Sequence, residues 1–140
     1  MVLVDGQGIP LGVHLSPAHL AESHLAEATL AHVAVPRVGR GRPKQKPRRI
    51  IADKGYDSRP LWTRLKRRGI QLIAPHRSTR VYRYQDGRCL KRYRRRWIVE
   101  RTNAWLNTNC RRLTTRLERS LAVFSGFILV AVIMICLRRL

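Results

Sequence analysis

The chain has 140 residues, enough for about one domain with a buried core, and it carries 29 Lys and Arg against eight Asp and Glu. A net charge of +21 does not suit the surface of an enzyme for neutral metabolites. It indicates a polyanionic partner, with nucleic acid the first candidate and an anionic membrane surface the second. The three cysteines form no C-x-x-C pair, which argues against a disulfide framework or a zinc site and fits a reducing cytosol.

The amino-terminal third predicts a β-hairpin followed by a helix. Apolar residues at 2–4 and alternating ones at 11–15 flank the Gly-rich stretch DGQGIP, as in two strands joined by a turn. The segment 16–33 then favours a helix, with Ser16 as its N-cap and Pro17 at its first position. No basic segment precedes an apolar run at the amino terminus, so we expect no signal peptide.

Residues 36–49 predict an exposed loop within the domain. This stretch holds seven basic residues, three prolines and no acidic residue. Proline removes backbone donors and keeps the chain extended, so neither helix nor strand is expected here.

Residues 50–74 predict a strand, a helix and a second strand, a pattern typical of α/β proteins. Residues 50–52 form a short apolar run, Asp57 or Ser58 supplies the N-cap of the helix, and Gly69 ends it. A polar connection over 76–89 follows.

The carboxyl-terminal part predicts two further helices. The segment 90–107 favours a helix, and 121–137 is a run of seventeen residues without a charge. Together with the preceding elements this gives an α/β fold with a mixed sheet, flanking helices and an apolar helix at the end of the chain.

Asp53 is a candidate metal ligand because it directly follows a predicted strand. Ligands in open α/β sheets bind at the carboxyl ends of strands, and a carboxylate held there by a rigid element suits metal chemistry. The alternative is structural: Asp53 and Asp57 stabilise a turn and the amino terminus of the next helix.

A second candidate carboxylate, Glu100, lies on the predicted helix. If the segment is α-helical, Tyr93, Arg96, Glu100 and Asn107 fall within roughly 60° of one another around its axis. One stripe would then carry a phenol, a guanidinium, a carboxylate and an amide. The alternative is an ordinary i,i+4 ion pair between Arg96 and Glu100.

These two motifs resemble those of bacterial insertion-sequence transposases of the DDE type. The segment IADKGYD, residues 51–57, is similar to the motif around the second catalytic aspartate of that family. Tyr93-x2-Arg96-x3-Glu100 is similar to the family's Tyr–Arg–Glu–Lys signature. The resemblance extends over nearly the whole chain and implies that residues 1–140 are one partial, RNase H-like catalytic domain that lacks its first strand.

Two positions depart from the family pattern. The lysine of the signature falls at Asn107, with Arg111 and Arg112 one turn further along. The first catalytic aspartate of the family lies upstream of the matched stretch, and Asp5 falls in the hairpin turn, so we do not assign it the catalytic role.

The resemblance implies Mg²⁺-dependent (or Mn²⁺-dependent) DNA strand cleavage and transfer. Asp53 and Glu100 would be catalytic residues and metal ligands, while Tyr93 and Arg96 would position a DNA phosphate or a terminal nucleotide. With two of three carboxylates, we expect the isolated chain to be weakly active or inactive, as a truncated or frameshift-dependent product. The implied partners are insertion-sequence ends and target DNA, bound by a homodimer in the bacterial cytoplasm at the nucleoid, with no small-molecule substrate.

Two basic stretches are candidate DNA contacts. Arg40, Arg42 and Lys44 lie in GRGRPK, which resembles an AT-hook core suited to a narrow minor groove. A basic linker that touches only phosphates explains the same residues. Arg94 and Arg95 precede Glu100 and indicate either a phosphate track or a solvated charged face.

Two readings from other classes stay open. Residues 121–137 reach the lower length limit of a spanning helix, so the chain could be a tail-anchored basic membrane protein, although a helix buried in a core has the same composition. The third reading is a non-catalytic basic nucleic-acid-binding protein, in which Asp53 and Glu100 have no catalytic part.

Overall fold

The computed structural model describes residues 1–17, 19–36 and 39–139, with nothing described for the Glu22 side chain. The strands and α-helices, in chain order, are β1 Val2–Val4, β2 Pro10–Val13, α1 Glu22–Ala31, β3 Arg49–Ile51, α2 Arg59–Arg67, β4 Gln71–Ile73, α3 Gly87–Leu90, α4 Trp97–Asn109, α5 Arg111–Thr114 and α6 Leu121–Leu137. Two 3₁₀-helices, Lys54–Tyr56 and Lys91–Arg96, precede α2 and α4. The α/β class is confirmed.

The predicted hairpin is present. Strands β1 and β2 pair antiparallel, with Leu3 opposite Gly12. The Asp5 carboxylate stabilises the turn, since its Oδ1 accepts the backbone N–H groups of Gln7 at 2.8 Å and Ile9 at 2.9 Å.

Helix α1 begins later than the sequence indicated. The predicted start, with Ser16 as N-cap and Pro17 at the first position, is wrong: α1 begins at Glu22 after Ala21, which makes no side-chain cap. The Ser16 hydroxyl donates to the carbonyl oxygen of Pro17 instead of accepting from a helical N–H. Ala18 lies outside the described residues.

The predicted strand–helix–strand unit is confirmed. Strands β3 and β4 pair in parallel, with Ile50 opposite Leu72, and β3 extends to Arg49, one residue earlier than expected. Ser58, rather than Asp57, is the N-cap of α2, and its Oγ accepts the N–H of Leu61 at 3.5 Å. Leucines of α2 and Leu72 of β4 lie in the main core, in which the side chains of Leu61 and Leu65 are fully buried.

The strands do not form the single mixed sheet that was expected. Among the described residues, β1–β2 make one antiparallel pair and β3–β4 make a separate parallel pair. Each pair is therefore left with two strand edges that have no strand partner, which is unusual for strands packed into a core.

The segment before α4 also departs from the prediction. Residues 91–96 form a 3₁₀-helix and the α-helix begins only at Trp97, whereas one α-helix over 90–107 was expected. Five of those six residues are Lys or Arg. In an α-helix several of these cations would be neighbours at i,i+4, where like charges repel.

Helix α4 is fixed to the hairpin turn by three consecutive carbonyl groups. The carbonyl oxygens of residues 6, 7 and 8 accept from Arg95 at 3.3 Å, Arg101 at 2.6 Å and Thr102 at 2.8 Å. The Arg101 guanidinium also lies between the rings of Trp97 and Trp105. The hairpin thereby sets the position of the residues at the start of α4.

Helix α6 has the bounds that were predicted. It packs on α4 through Ala131 and Ile135, while other apolar side chains face outward, including Leu129, which is 58% exposed. Within the described ranges, we find no helix that combines the length and apolar character needed to span a membrane.

The hairpin and helix α4 approach each other closely at Gly8, and its substitution should destabilise the fold. It has a φ of +91°, and an added Cβ would lie 2.9 Å from the Thr102 hydroxyl oxygen. We expect Gly8→Ala to lower the free energy of unfolding by about 2 kcal/mol, because it adds both backbone strain and a clash. Urea unfolding measures this.

Gly126→Ala is the matched control. Gly126 is exposed in α6 with nothing within 4 Å of an added Cβ, so the same chemical change should stabilise the chain by about 0.5–1 kcal/mol. Equal effects of the two substitutions would contradict the close approach at Gly8.

Candidate active site

Asp53 lies directly after β3 and starts the first 3₁₀-helix. Its Oδ1 accepts the N–H of Lys54 at 2.7 Å, and its side chain is 42% exposed. Asp53 therefore has the structural role that was the alternative in the sequence. Its oxygens nonetheless remain accessible to other groups.

Tyr93 and Arg96 both contact the Asp53 carboxylate. The Tyr93 hydroxyl donates to Oδ1 at 3.3 Å, and an Arg96 guanidinium nitrogen lies 3.7 Å from Oδ2. A 3₁₀-helix superimposes residues at i and i+3, so the second 3₁₀-helix places these two side chains on one face. Burial is the main cause that raises the pKa of Tyr93, which keeps its phenol protonated as a donor.

Glu100 reaches the same guanidinium from α4. Its Oε1 lies 2.7 Å from Arg96 Nη1, and its side chain is 56% exposed. The Arg96 guanidinium thus contacts both carboxylates, one from the strand end and one from the helix. Partly exposed pairs of this kind contribute only a few tenths of a kcal/mol each, so little stability depends on this arrangement.

The other predicted DNA-binding residues are exposed. Arg94 and Arg95 lie beside Arg96 in the second 3₁₀-helix, and Arg95 is partly engaged with the hairpin turn. Arg40 and Arg42 are exposed in the basic loop, which is closed by a pair of backbone hydrogen bonds between Val35 and Lys44. Arg37 and Val38 of that loop lie outside the described residues.

The described part of the chain supplies no third acidic ligand beside Asp53 and Glu100. No group of three or more His, Cys, Asp or Glu side chains is arranged there to hold a metal ion. Asp5 is engaged by the hairpin turn. Arg112, one of the substitutes considered for the missing signature lysine, pairs instead with Glu118 at 2.9 Å.

Comparison with known proteins decides the family. A family model described as the transposase DDE domain matches residues 1–137. A protein from Burkholderia cepacia named "Putative transposase for insertion sequence element IS402" is 34% identical over 135 residues, which are 96% of this chain and 60% of that protein. The search of solved structures gave no match.

The chain belongs to the DDE transposases of bacterial insertion sequences. This confirms the resemblance found in the two motifs, and it favours the transposase reading over the membrane-protein reading. The transposase chain spans about 60% of the length of the relative.

A buried ionic cluster around Asp57 was missed by the sequence analysis. The Asp57 side chain is 1% exposed and accepts from Arg80 Nε at 2.7 Å, the Arg77 backbone N–H at 2.8 Å, His76 Nδ1 at 3.1 Å and the Tyr84 hydroxyl. All four donors come from 76–84, which the sequence showed only as a polar connection. Their separation of 19 or more residues from Asp57 left no local pattern to reveal the pairing.

A basic and aromatic cavity opens next to this cluster. Its volume is about 750 Å³, and Trp62, Arg77, Arg80 and Tyr84 are among its lining residues. It lies beside the Asp57 cluster rather than at Asp53 and Glu100.

The Asp57 cluster should stabilise this transposase chain and make its stability depend on pH. Burial alone would raise the pKa of Asp57, but hydrogen bonds from Tyr84, Arg77, Arg80 and His76 outweigh it and lower the pKa from 3.8 to about 2. Because the folded pKa is depressed, the stabilisation is complete above about pH 4 and is lost as the pH falls towards 2.

We expect Asp57→Asn to lower the free energy of unfolding at pH 7 by about 3 kcal/mol, because Arg80 loses its partner in a buried site. Between pH 4 and pH 2 the free energy of unfolding of the wild type should fall by about 2 kcal/mol through this cluster. The variant should not show this fall. Urea unfolding across this pH range tests both effects, with the partly exposed Asp53→Asn as control. An unchanged pH dependence in Asp57→Asn would contradict the ionised cluster.

Proposed function

We propose that the chain is part of the catalytic domain of an insertion-sequence transposase that binds DNA and cleaves and joins its strands with Mg²⁺ or Mn²⁺. The observation that carries this proposal is the meeting of Asp53 and Glu100 at one cation, the Arg96 guanidinium. In this proposal the two small sheets are parts of an incomplete RNase H-like sheet.

The two carboxylates have the chemistry of a divalent-metal site. They offer hard oxygen ligands, both are partly exposed, and both already face a positive group. They would hold the ion together with a third carboxylate from outside the described residues. A divalent ion bound there would polarise a phosphate and activate a water or 3′-hydroxyl as nucleophile.

Arg96 and Tyr93 would position the DNA strand. Their contacts with Asp53 are long and partly exposed, so a phosphate could take over the guanidinium and the phenol at small energetic cost. Arg94, Arg95 and the basic loop with Arg40, Arg42 and Lys44 would follow the backbone further from the site.

The proposal includes the expected setting of the reaction. The substrates are insertion-sequence ends and target DNA, bound by a homodimer in the bacterial cytoplasm. With two of its carboxylates present, the isolated chain would have little or no activity, and full activity would need the third.

Metal affinity tests the site directly. In a Mn²⁺ titration by calorimetry, we expect weak binding by the wild type and at least about tenfold weaker binding by Asp53→Asn and Glu100→Gln, because each removes an anionic ligand. Asparagine still accepts the N–H of Lys54, so the first 3₁₀-helix should persist. Asp86→Asn removes an exposed carboxylate elsewhere and should leave the affinity unchanged.

Cleavage of a linear DNA duplex by the same samples with Mg²⁺ gives the second readout. We expect the wild-type chain alone to fall far below ordinary turnover numbers of about 1–10³ s⁻¹. Identical Mn²⁺ affinities in all four proteins, or ordinary turnover by the isolated chain, would contradict the proposed incomplete site.

DNA affinity should depend steeply on salt through the basic 3₁₀-helix. We expect the double variant Arg94→Gln and Arg95→Gln to flatten the slope of log affinity against log salt concentration by about 2, because two phosphate contacts are lost. Fluorescence anisotropy with a labelled duplex between about 50 and 200 mM salt measures this slope.

The matched control removes two exposed cations at the end of α2, the last helical residue through Arg67→Gln and the C-cap through Arg68→Gln. It should change the slope far less, although both double variants have the same net charge. Equal slopes for the two double variants would show that only total charge matters and that the second 3₁₀-helix is not a DNA contact.

A further inference from the structure

The basic loop is anchored at its base by the fold. The N–H of Val35 donates to the carbonyl oxygen of Lys44 at 2.9 Å, and the N–H of Lys44 donates to the carbonyl oxygen of Val35 at 2.8 Å. The Val35 side chain packs on the main core. Residues 39–46 are all exposed. The loop therefore presents its segment 40–42, Arg-Gly-Arg, to solvent from a base that is held in place.

The two arginines of this segment have no anionic partner among the described residues. Neither the Arg40 nor the Arg42 guanidinium makes a hydrogen bond or ion pair there. The sequence has no acidic residue between Glu27 and Asp53. Glu27 itself is engaged by Arg64 at 2.6 Å. Both loop arginines thus remain available to a polyanion, and the DNA that a transposase handles is one.

The backbone between the two arginines has a shape that favours glycine. Gly41 has a φ of +136°, and Gly39, just before the pair, has a φ of +98°. Pro43 follows the pair and restricts Arg42 to extended conformations. The segment is therefore narrow, with two long cationic side chains and no side chain between them. A backbone of this width suits the minor groove of DNA, which is about 6 Å wide.

We propose that Arg40 and Arg42 enter the minor groove of duplex DNA and give this chain a preference for A·T tracts. In such tracts the groove is narrow, and its enhanced negative potential attracts an inserted arginine. Its floor presents only acceptors, adenine N3 and thymine O2, to which both guanidinium groups can donate. A G·C pair instead places the guanine amino group, a donor, in the same groove.

This role rests on the DNA binding of the proposed function and adds a sequence preference to it. The two arginines precede strand β3, whereas Asp53 follows its end. Among the described residues, neither arginine contacts Asp53, Glu100 or Arg96. Arg40 and Arg42 are therefore contacts that select the bound sequence, and their replacement should leave the Mn²⁺ affinity of the candidate active site unchanged.

Fluorescence anisotropy with three labelled duplexes of equal length tests the sequence preference and the groove together. The duplexes differ only in a central tract of A·T, G·C or inosine·cytosine pairs. Inosine keeps the major-groove edge of guanine but lacks the amino group in the minor groove. At about 100 mM salt, we expect the wild type to bind the A·T and inosine duplexes at least about tenfold more tightly than the G·C duplex.

The double variant Arg40→Lys and Arg42→Lys keeps the charge and removes the guanidinium groups. Lysine is a compact and strongly hydrated cation, so it loses more on entering a narrow groove. We expect this variant to bind the three duplexes within about twofold of one another, with the salt slope of the wild type because the net charge is unchanged. The matched control, Arg94→Lys and Arg95→Lys, makes the same chemical change in the second 3₁₀-helix and should keep the preference.

Equal affinity of the wild type for the three duplexes, or a preference that survives in the Arg40 and Arg42 double variant, would overturn the minor-groove contact. Binding of the inosine duplex as weak as that of the G·C duplex would also overturn it, since the preference would then come from the major groove. In each case, a salt slope that still flattens in the Arg94→Gln and Arg95→Gln variant would leave the proposed DNA binding standing. An A·T preference without Mn²⁺ affinity would support the loop contact while the proposed metal site fails.

Discussion

The contact on which the candidate site depends is that of one guanidinium with two carboxylates. Arg96 contacts Asp53 and Glu100 from the last turn of a 3₁₀-helix, whereas the sequence predicted that it lies in an α-helix. Since three donors from α4 and its preceding segment hold the hairpin turn, the position of this guanidinium is coupled to the hairpin as well as to the strand end. The site therefore depends on the hairpin as well as on the end of β3, although none of its residues lies within a strand.

Asp57 and Asp53 lie in contrasting environments, the first buried and the second partly exposed. Asp57, buried and hydrogen-bonded by four donors, fixes the polar connection to α2 and belongs to the stable part of the fold. Asp53, four residues earlier, is partly exposed and, apart from its 2.7 Å hydrogen bond from the Lys54 N–H, makes only long contacts. Two acids of the same motif thus differ, because one is surrounded by donors and the other is left open.

Local patterns predicted the local structure well. The hairpin, the β3–α2–β4 unit with its Ser58 cap and the bounds of α6 follow from alternation, capping residues and apolar runs. The family motifs singled out Asp53 and Glu100, which both contact Arg96, while their role as metal ligands stays a prediction. Local patterns failed at two helix starts. Helix α1 begins six residues after Ser16. A 3₁₀-helix takes the place of the first turns of the predicted α-helix, in which like charges would repel each other. The Asp57 cluster could not be predicted, because its donors reach the carboxylate only through tertiary packing.

The proposed cation site rests on the contact of Asp53 and Glu100 with one guanidinium. The most direct test of the shared cation site is anomalous X-ray scattering from a crystal of the chain grown with Mn²⁺. The account predicts an anomalous peak within coordination distance of oxygens of both Asp53 and Glu100, with Arg96 displaced from at least one of them. A peak at other residues only, with Arg96 still contacting both carboxylates, would contradict it.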